Sequence, residues 1–139
     1  MLYCQRSLEV LNMNVGLKHT ITETVTIEKT AQNVGSGLLP VYATPAMIAL
    51  MEKCASECIA PFIEDGKSSV GTMLNVKHLS ASPIGITITC TATVTEIDGR
   101  RVAFSLEVSD EKGPIGEGTH ERFIIDVDRF MSKCNSKLN

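Results

Sequence analysis

The sequence predicts an α+β chain in which an antiparallel sheet wraps round one long helix. Three observations carry that reading. Several segments alternate apolar and polar residues with the period of a strand, one window near residue 50 repeats with the period of a helix, and the order is strand, loop, helix, then four strands. At 139 residues the chain has the length of one domain and should bury roughly two-thirds of the surface its unfolded form exposes. The predicted domain is 1–139, with 1–14 an extension that can be disordered and 127–139 a tail or short helix.

From His19 to Ile27, HTITETVTI places Ile21, Val25 and Ile27 on one side and the threonines on the other, which predicts the first strand. Asn33 to Pro40 is rich in turn formers and lacks a period, so it reads as a loop whose Leu38 and Leu39 cover something. Thr44-Pro45 opens the helix, with Thr44 as N-cap and Pro45 at the first helical position, and the helix should end near Ala60, ahead of Pro61. At about 100° per residue, Met47, Ile48, Met51, Cys54, Ala55, Cys58 and Ile59 share one wide arc, which implies packing on a sheet. Glu52 falls at the margin of that arc, so its carboxylate is half desolvated or paired.

Four strands follow, over 70–79, 86–96, 100–109 and 115–125, the last three forming a meander. In ITITCTATV every second residue from Ile86 to Val94 is apolar and the rest are Thr, giving one buried face and one wet face. An Asp98-Gly99 turn would set Val94 opposite Ala103 and turn the apolar faces apart. A three-residue Ile97-Asp98-Gly99 loop with Gly99 left-handed sets Val94 opposite Val102 and Glu96 opposite Arg100, and that loop is the prediction. Asp110 to Pro114 makes the next turn, and Val127 to Lys137 a terminal helix.

Composition narrows function. Apolar residues at 43% and charged residues at 21% are those of a soluble globular chain and exclude a fibrous or disordered one. Thirteen basic against sixteen acidic side chains, no basic run longer than Arg100-Arg101 and no Trp leave neither the field nor the stacking surface for nucleic acid. No apolar run reaches the roughly 18 residues of a membrane span, and Arg6 and Glu9 interrupt any leader-like segment, so a cytoplasmic location is expected. Five cysteines, Cys4, Cys54, Cys58, Cys90 and Cys134, fit reduced buried thiols better than a disulfide framework. Cys54 and Cys58 have no second Cys or His pair to complete four ligands, so no metal site is expected.

The chemistry-bearing candidates lie at the core margin. In the strand over 70–79, Val70, Thr72, Leu74, Val76 and His78 should share a face, which sets His78 at the end of an apolar row. Glu52 on the helix and His78 on the face it covers could meet. A carboxylate beside an imidazole serves acid/base chemistry, although an ordinary buried ion pair would look the same. His120 and Arg122 share a face with Gly116 and Gly118, whose missing side chains admit a ligand or another backbone, and cross-strand pairing is the alternative.

The run Val34-Gly35-Ser36-Gly37-Leu38-Leu39-Pro40-Val41-Tyr42-Ala43-Thr44-Pro45, then Glu52, Ser69-Val70-Gly71-Thr72 to His78, and Gly118-Thr119-His120-Glu121-Arg122-Phe123, resembles the hot-dog thioesterases related to fluoroacetyl-CoA thioesterase, over roughly residues 15–126. The resemblance implies a hot-dog fold and a catalytic set of Thr44, Glu52 eight residues on, and His78 thirty-four residues after the Thr. It places Gly71 beside the thioester and Arg122 near the site, and His120, which shares a strand face with Arg122, is a further substrate-binding candidate. It implies an acyl-CoA substrate, no cofactor beyond the coenzyme A of that substrate, and a homodimer or a pair of dimers with the acyl-CoA at the interface. The family's lid carries phenylalanines ahead of the Thr where Gly35-Ser36-Gly37-Leu38-Leu39 has none, which turns the expectation from a fluorinated substrate to a short or branched acyl group. A non-catalytic acyl-CoA or acyl-carrier binding module and a hot-dog enoyl-CoA hydratase are the alternatives. Eight helical residues rise about 12 Å, so Thr44 and Glu52 act together only if the helix starts later, a substrate bridges them, or they come from different subunits.

Overall fold

In a computed structural model that describes residues Met13–Asn139, the alternating segments form one antiparallel sheet. Cys4 and the first twelve positions of the predicted extension lie outside the described residues. The strands are β1 (Lys18–Thr24), β2 (Lys67–His78), β3 (Thr87–Asp98), β4 (Arg101–Asp110) and β5 (Gly113–Asp126), in spatial order β1-β3-β4-β5-β2. The predicted meander is therefore present as β3-β4-β5. A four-residue helix α1 (Ala31–Val34), the long helix α2 (Thr44–Ile59) and the terminal helix α3 (Val127–Asn135) complete the chain with short 3-10 turns.

The core forms where α2 lies on the sheet. Its buried face is Met47, Leu50, Met51, Cys54, Ala55, Cys58 and Ile59, so the predicted arc holds except that Leu50 replaces half-buried Ile48. Against it pack Ile88, Cys90, Ala92 and Val94 of β3 and Val102, Phe104, Leu106 and Val108 of β4, all buried. Cys54 donates its thiol hydrogen to carbonyls of His19 and Cys90 at 3.3 and 3.4 Å, so this buried cysteine is a satisfied core residue. Cys134 on α3 is exposed, contrary to the expectation of burial, because that helix leaves the sheet after Asp126.

Several boundaries differ from the sequence reading. β1 ends at Thr24, paired with the first residue of β3, and beyond that pairing the chain turns into a 3-10 segment that leaves Ile27 exposed instead of buried. Asn33 and Val34, read as loop, belong to α1, whose cap is Thr30 and whose end is Gly35 at φ 88°. Leu38 and Leu39 are exposed and cover nothing among the described residues.

The β3–β4 hairpin solves the phase problem differently from the prediction. Asp98 faces Arg101 across a two-residue Gly99-Arg100 turn with Gly99 at φ 60°, so Glu96 faces Ala103 instead of Arg100. That turn alone would set Val94 against Ser105. An extra residue, Thr95, bulges from β3 and brings Val94 opposite Phe104, which returns both apolar faces to the core. A second bulge, at Thr72 between Gly71 and Met73, has the same effect on β2. It reverses the strand's parity, so that Leu74, Val76 and His78 share the inner face with Ser69 and Gly71, and not with Val70 and Thr72 as predicted. The Asp110 to Pro114 turn closes tighter than predicted, with Asp110 facing Gly113 across Glu111 and Lys112.

Candidate active site

Ala43, not Thr44, is the N-cap of α2, and Thr44 is its first helical residue. The Thr44 hydroxyl is thereby free of capping, and its Oγ1 lies 2.8 Å from Nδ1 of His78 at the end of β2. Burial holds the His78 imidazole below its ordinary value of 6.5, with a smaller opposing effect from a backbone hydrogen bond at Ser80. Its Nε2 is buried without a hydrogen-bond partner among the described residues. Tyr42, two residues before Thr44, sets its ring edge-on to the same imidazole, with centroids 6.5 Å apart and planes at 85°.

A second cluster lies two helical turns along α2, where Glu52 faces the inner side of β2 and β5. Its Oε2 is 3.5 Å from Nη1 of Arg122, and its side chain keeps 40% of its surface exposed, so the half-desolvated, paired carboxylate expected from the sequence is what forms. Arg122 is 8% exposed and each of its nitrogens has a partner: Nε donates to Ser69 Oγ at 2.8 Å, Nη2 to the Ser69 carbonyl at 2.9 Å, and Nη1 to Nε2 of His120 at 3.2 Å. His120 is buried, stacked on Phe104 at 5.9 Å, with Nδ1 2.9 Å from the Met73 carbonyl. A carbonyl only accepts, so the proton sits on Nδ1 and Nε2 offers a lone pair to Arg122. Burial first, and the adjacent guanidinium as well, keep His120 below its ordinary value, although the Met73 carbonyl and nearby carboxylates work the other way. His120 is a neutral acceptor that completes the shell of Arg122.

Gly71 explains how the strand admits this cluster. A Cβ added there would stand 2.5 Å from Oε2 of Glu52 and 3.2 Å from Cε1 of His120, so only glycine lets the carboxylate lie against β2. Gly116 admits Met47 of α2 in the same way, its notional Cβ falling 2.6 Å from the sulfur.

Four of the six residues singled out in the sequence, Gly71, Glu52, His120 and Arg122, therefore meet in one network, and the other two, Thr44 and His78, meet in another. The predicted meeting of Glu52 with His78 does not occur within the chain, because α2 already starts at Thr44 and the two poles remain about 12 Å apart along it. Sequence reasoning missed three neighbours. Ser69 was hidden by the β2 bulge, which reverses the face it occupies. Tyr42 stood in a stretch without a period. Glu23, which accepts from the Tyr42 hydroxyl at 2.6 Å, carries a legible signal, a carboxylate at the same strand parity as Ile21. No group of three or more His, Cys, Asp or Glu side chains among the described residues is placed to hold a metal.

Comparison with known proteins gives these two networks a setting. A sequence model described as fluoroacetyl-CoA-specific thioesterase, FlK, matches residues 25–128. The fluoroacetyl-CoA thioesterase of Streptantibioticus cattleyicolor is 39% identical over 97 residues, 70% of each chain. A crystal structure of a mutant of the fluoroacetyl-CoA-specific thioesterase FlK in complex with fluoroacetate and CoA is 35% identical and has a TM-score of 0.82, covering 85% of this chain and 99% of that one. A hot-dog-like protein from Thermanaerovibrio acidaminovorans, 26% identical, has a TM-score of 0.84 over 91% of this chain and 94% of its own. The sheet folded over α2 is accordingly a hot-dog fold, and the chain belongs to the fluoroacetyl-CoA-specific thioesterase family.

Proposed function

We propose that the protein is an acyl-CoA thioesterase that hydrolyses a small or branched acyl-CoA to the free acid and coenzyme A. The observation that carries this reading is the pair of networks on one helix, a carboxylate pinned by Arg122 and a neutral imidazole bonded to Thr44, in a chain of this family. Hydrolysis forms a C–O bond, breaks the C–S bond and delivers one proton to sulfur. Glu52 either takes a proton from the attacking water or attacks the carbonyl itself to give an anhydride that water then cleaves to the free acid and the Glu52 carboxylate. In both routes that water is the source of the proton. His78, starting neutral, takes up the proton released by the water and passes it to the departing thiolate, and Thr44 orients the imidazole or the thioester oxygen. Gly71 leaves room for the thioester beside the carboxylate. The loop from Gly35 to Leu39 offers no aromatic lid, which suits a short or branched acyl group better than a fluorinated one.

The working form in this proposal is a homodimer. β2 is an edge of the sheet, with exposed Met73 and Leu74 beside its outer ladder. Two copies joined along β2 about a two-fold axis run antiparallel, so the His78 end of one strand lies beside the Ser69–Gly71 end of the other. Such pairing supports one site made of the Thr44–His78 pole of one subunit and the Glu52 pole of its partner, with acyl-CoA between them. Buried reduced thiols support a cytoplasmic location, and no helix among the described residues is long and apolar enough to cross a membrane.

A panel of acyl-CoA thioesters followed by release of free thiol tests the proposal. Turnover should be greatest for short or branched acyl groups, and absence of turnover at every chain length would refute it.

A further inference from the structure

The two flanks of His78 are held by residues only two positions apart, Tyr42 edge-on to its ring and Thr44 bonded to Nδ1. Tyr42 itself is fixed from three directions. Its hydroxyl donates to Oε2 of Glu23 at 2.6 Å, its backbone N–H donates to the Ser82 carbonyl at 2.9 Å, and its side chain is buried. Glu23 is paired in turn with the ammonium of Lys29, and the carbonyl of Lys29 accepts the N–H of Ala43 at 2.9 Å. Lys29 thus holds both the side-chain anchor of Tyr42 and the backbone that leads into Thr44. Burial first, and the Glu23 carboxylate next, push the Tyr42 hydroxyl well above its ordinary value, so it remains a donor throughout the working range.

A tyrosine hydroxyl tied to an inward carboxylate, when its ring could be buried as a phenylalanine, has a purpose beyond filling the core: the hydrogen bond fixes the ring's position within its plane, and the ring edge then limits how far the imidazole can turn. We propose that Tyr42, anchored by Glu23 and Lys29, is a positioning residue for His78, holding the imidazole in the orientation in which Thr44 meets Nδ1 and Nε2 faces the substrate. The inference rests on the thioesterase reading for its effect on turnover, but the orientation of His78 is a property of the free protein. The charge on Glu23 is neutralised by Lys29, so the device orients His78 without adding net charge beside it.

The test pairs hydrolysis of the best acyl-CoA substrate with 15N NMR of the His78 ring in the full chain. Tyr42→Phe keeps the ring and removes the anchor. It should lower kcat about tenfold with KM little changed, and the His78 nitrogen shifts should move from one tautomer toward an average of two. Glu23→Ala should do the same, Glu23→Gln should restore most of the loss because its amide oxygen still accepts from Tyr42, and Tyr42→Phe with Glu23→Ala together should be no worse than either alone. An unchanged His78 spectrum in Tyr42→Phe would overturn the proposal whether or not kcat fell. If the wild-type chain hydrolysed no thioester while the spectrum still moved, the thioesterase reading would fail and the positioning of His78 would stand.

Discussion

The two poles of the candidate site differ in how completely their hydrogen-bonding capacity is used. At the Glu52 pole the Arg122 guanidinium is committed to Ser69, His120 and Glu52, and the tautomer of His120 is fixed by the Met73 carbonyl. At the other pole, His78 meets Thr44 at Nδ1 and has a backbone hydrogen bond at Ser80, while its buried Nε2 has no partner among the described residues. A guanidinium engaged at every nitrogen holds a charge in place, whereas an imidazole with a free ring nitrogen can pass a proton. In the proposed hydrolysis, this difference suits the first pole to fixing the carboxylate and the second to moving the proton.

The largest expected effect comes from emptying the first pole. Glu52→Ala should lower kcat by about 10³-fold while acyl-CoA affinity, measured by calorimetry, stays within a few-fold. Equal losses of binding and turnover would assign Glu52 to substrate binding alone. Gly71→Ala disturbs the same carboxylate without changing any charge, because the new methyl competes with the flexible end of Glu52 for space. Its kcat should fall about 10²-fold with only a small drop in melting temperature, and a normal kcat would show that the close packing of Glu52 on β2 is not needed.

At the second pole, Thr44→Ala should cost about tenfold in kcat and Thr44→Ser much less, since serine keeps the hydroxyl that meets His78. Equal behaviour of the two variants would detach Thr44 from His78 in function. The smallest effect concerns stability. Both His78 and His120 have folded-state values below the ordinary 6.5, so the unfolded chain binds more protons between the two values. Their neutral forms support full stability above about pH 6.5, and stability declines as the pH falls through that value toward the folded-state ones. The urea midpoint should drop from about pH 7 to about pH 5, and less so in His120→Gln; the same slope in that variant would place the effect elsewhere.

The sequence made the architecture legible because period-2 and period-3.6 patterns survive in any context, and the order of elements left few ways to bury them. Register was harder. The conflict between a two-residue turn and the apolar faces of β3 and β4 was visible from Val94 and Val102, but nothing local shows whether the extra residue belongs in the turn or at Thr95. At Thr72 the same device concealed the inward position of Ser69, the residue that holds Arg122. The helix start was legible to within one residue, and that one residue separates a capping hydroxyl from one free to meet His78. Glu52 with Arg122, and Thr44 with His78, are contacts between elements distant in sequence, and spacing supplies the candidates without their pairing.

The division of labour is tested most directly by the dependence of kcat/KM on pH in the wild type and in His78→Ala, with His19→Ala as control. His19 lies on β1, 3.5 Å from Glu57 and outside both poles. Because burial holds His78 below its ordinary value, the wild type should keep its activity down through about pH 6.5 and lose it only in stronger acid as the imidazole takes up a proton. Replacing His78 should lower kcat/KM about 10²-fold and displace that acidic limb, while His19→Ala does neither. An acidic limb of unchanged position in His78→Ala would contradict the account and leave the proton to another group.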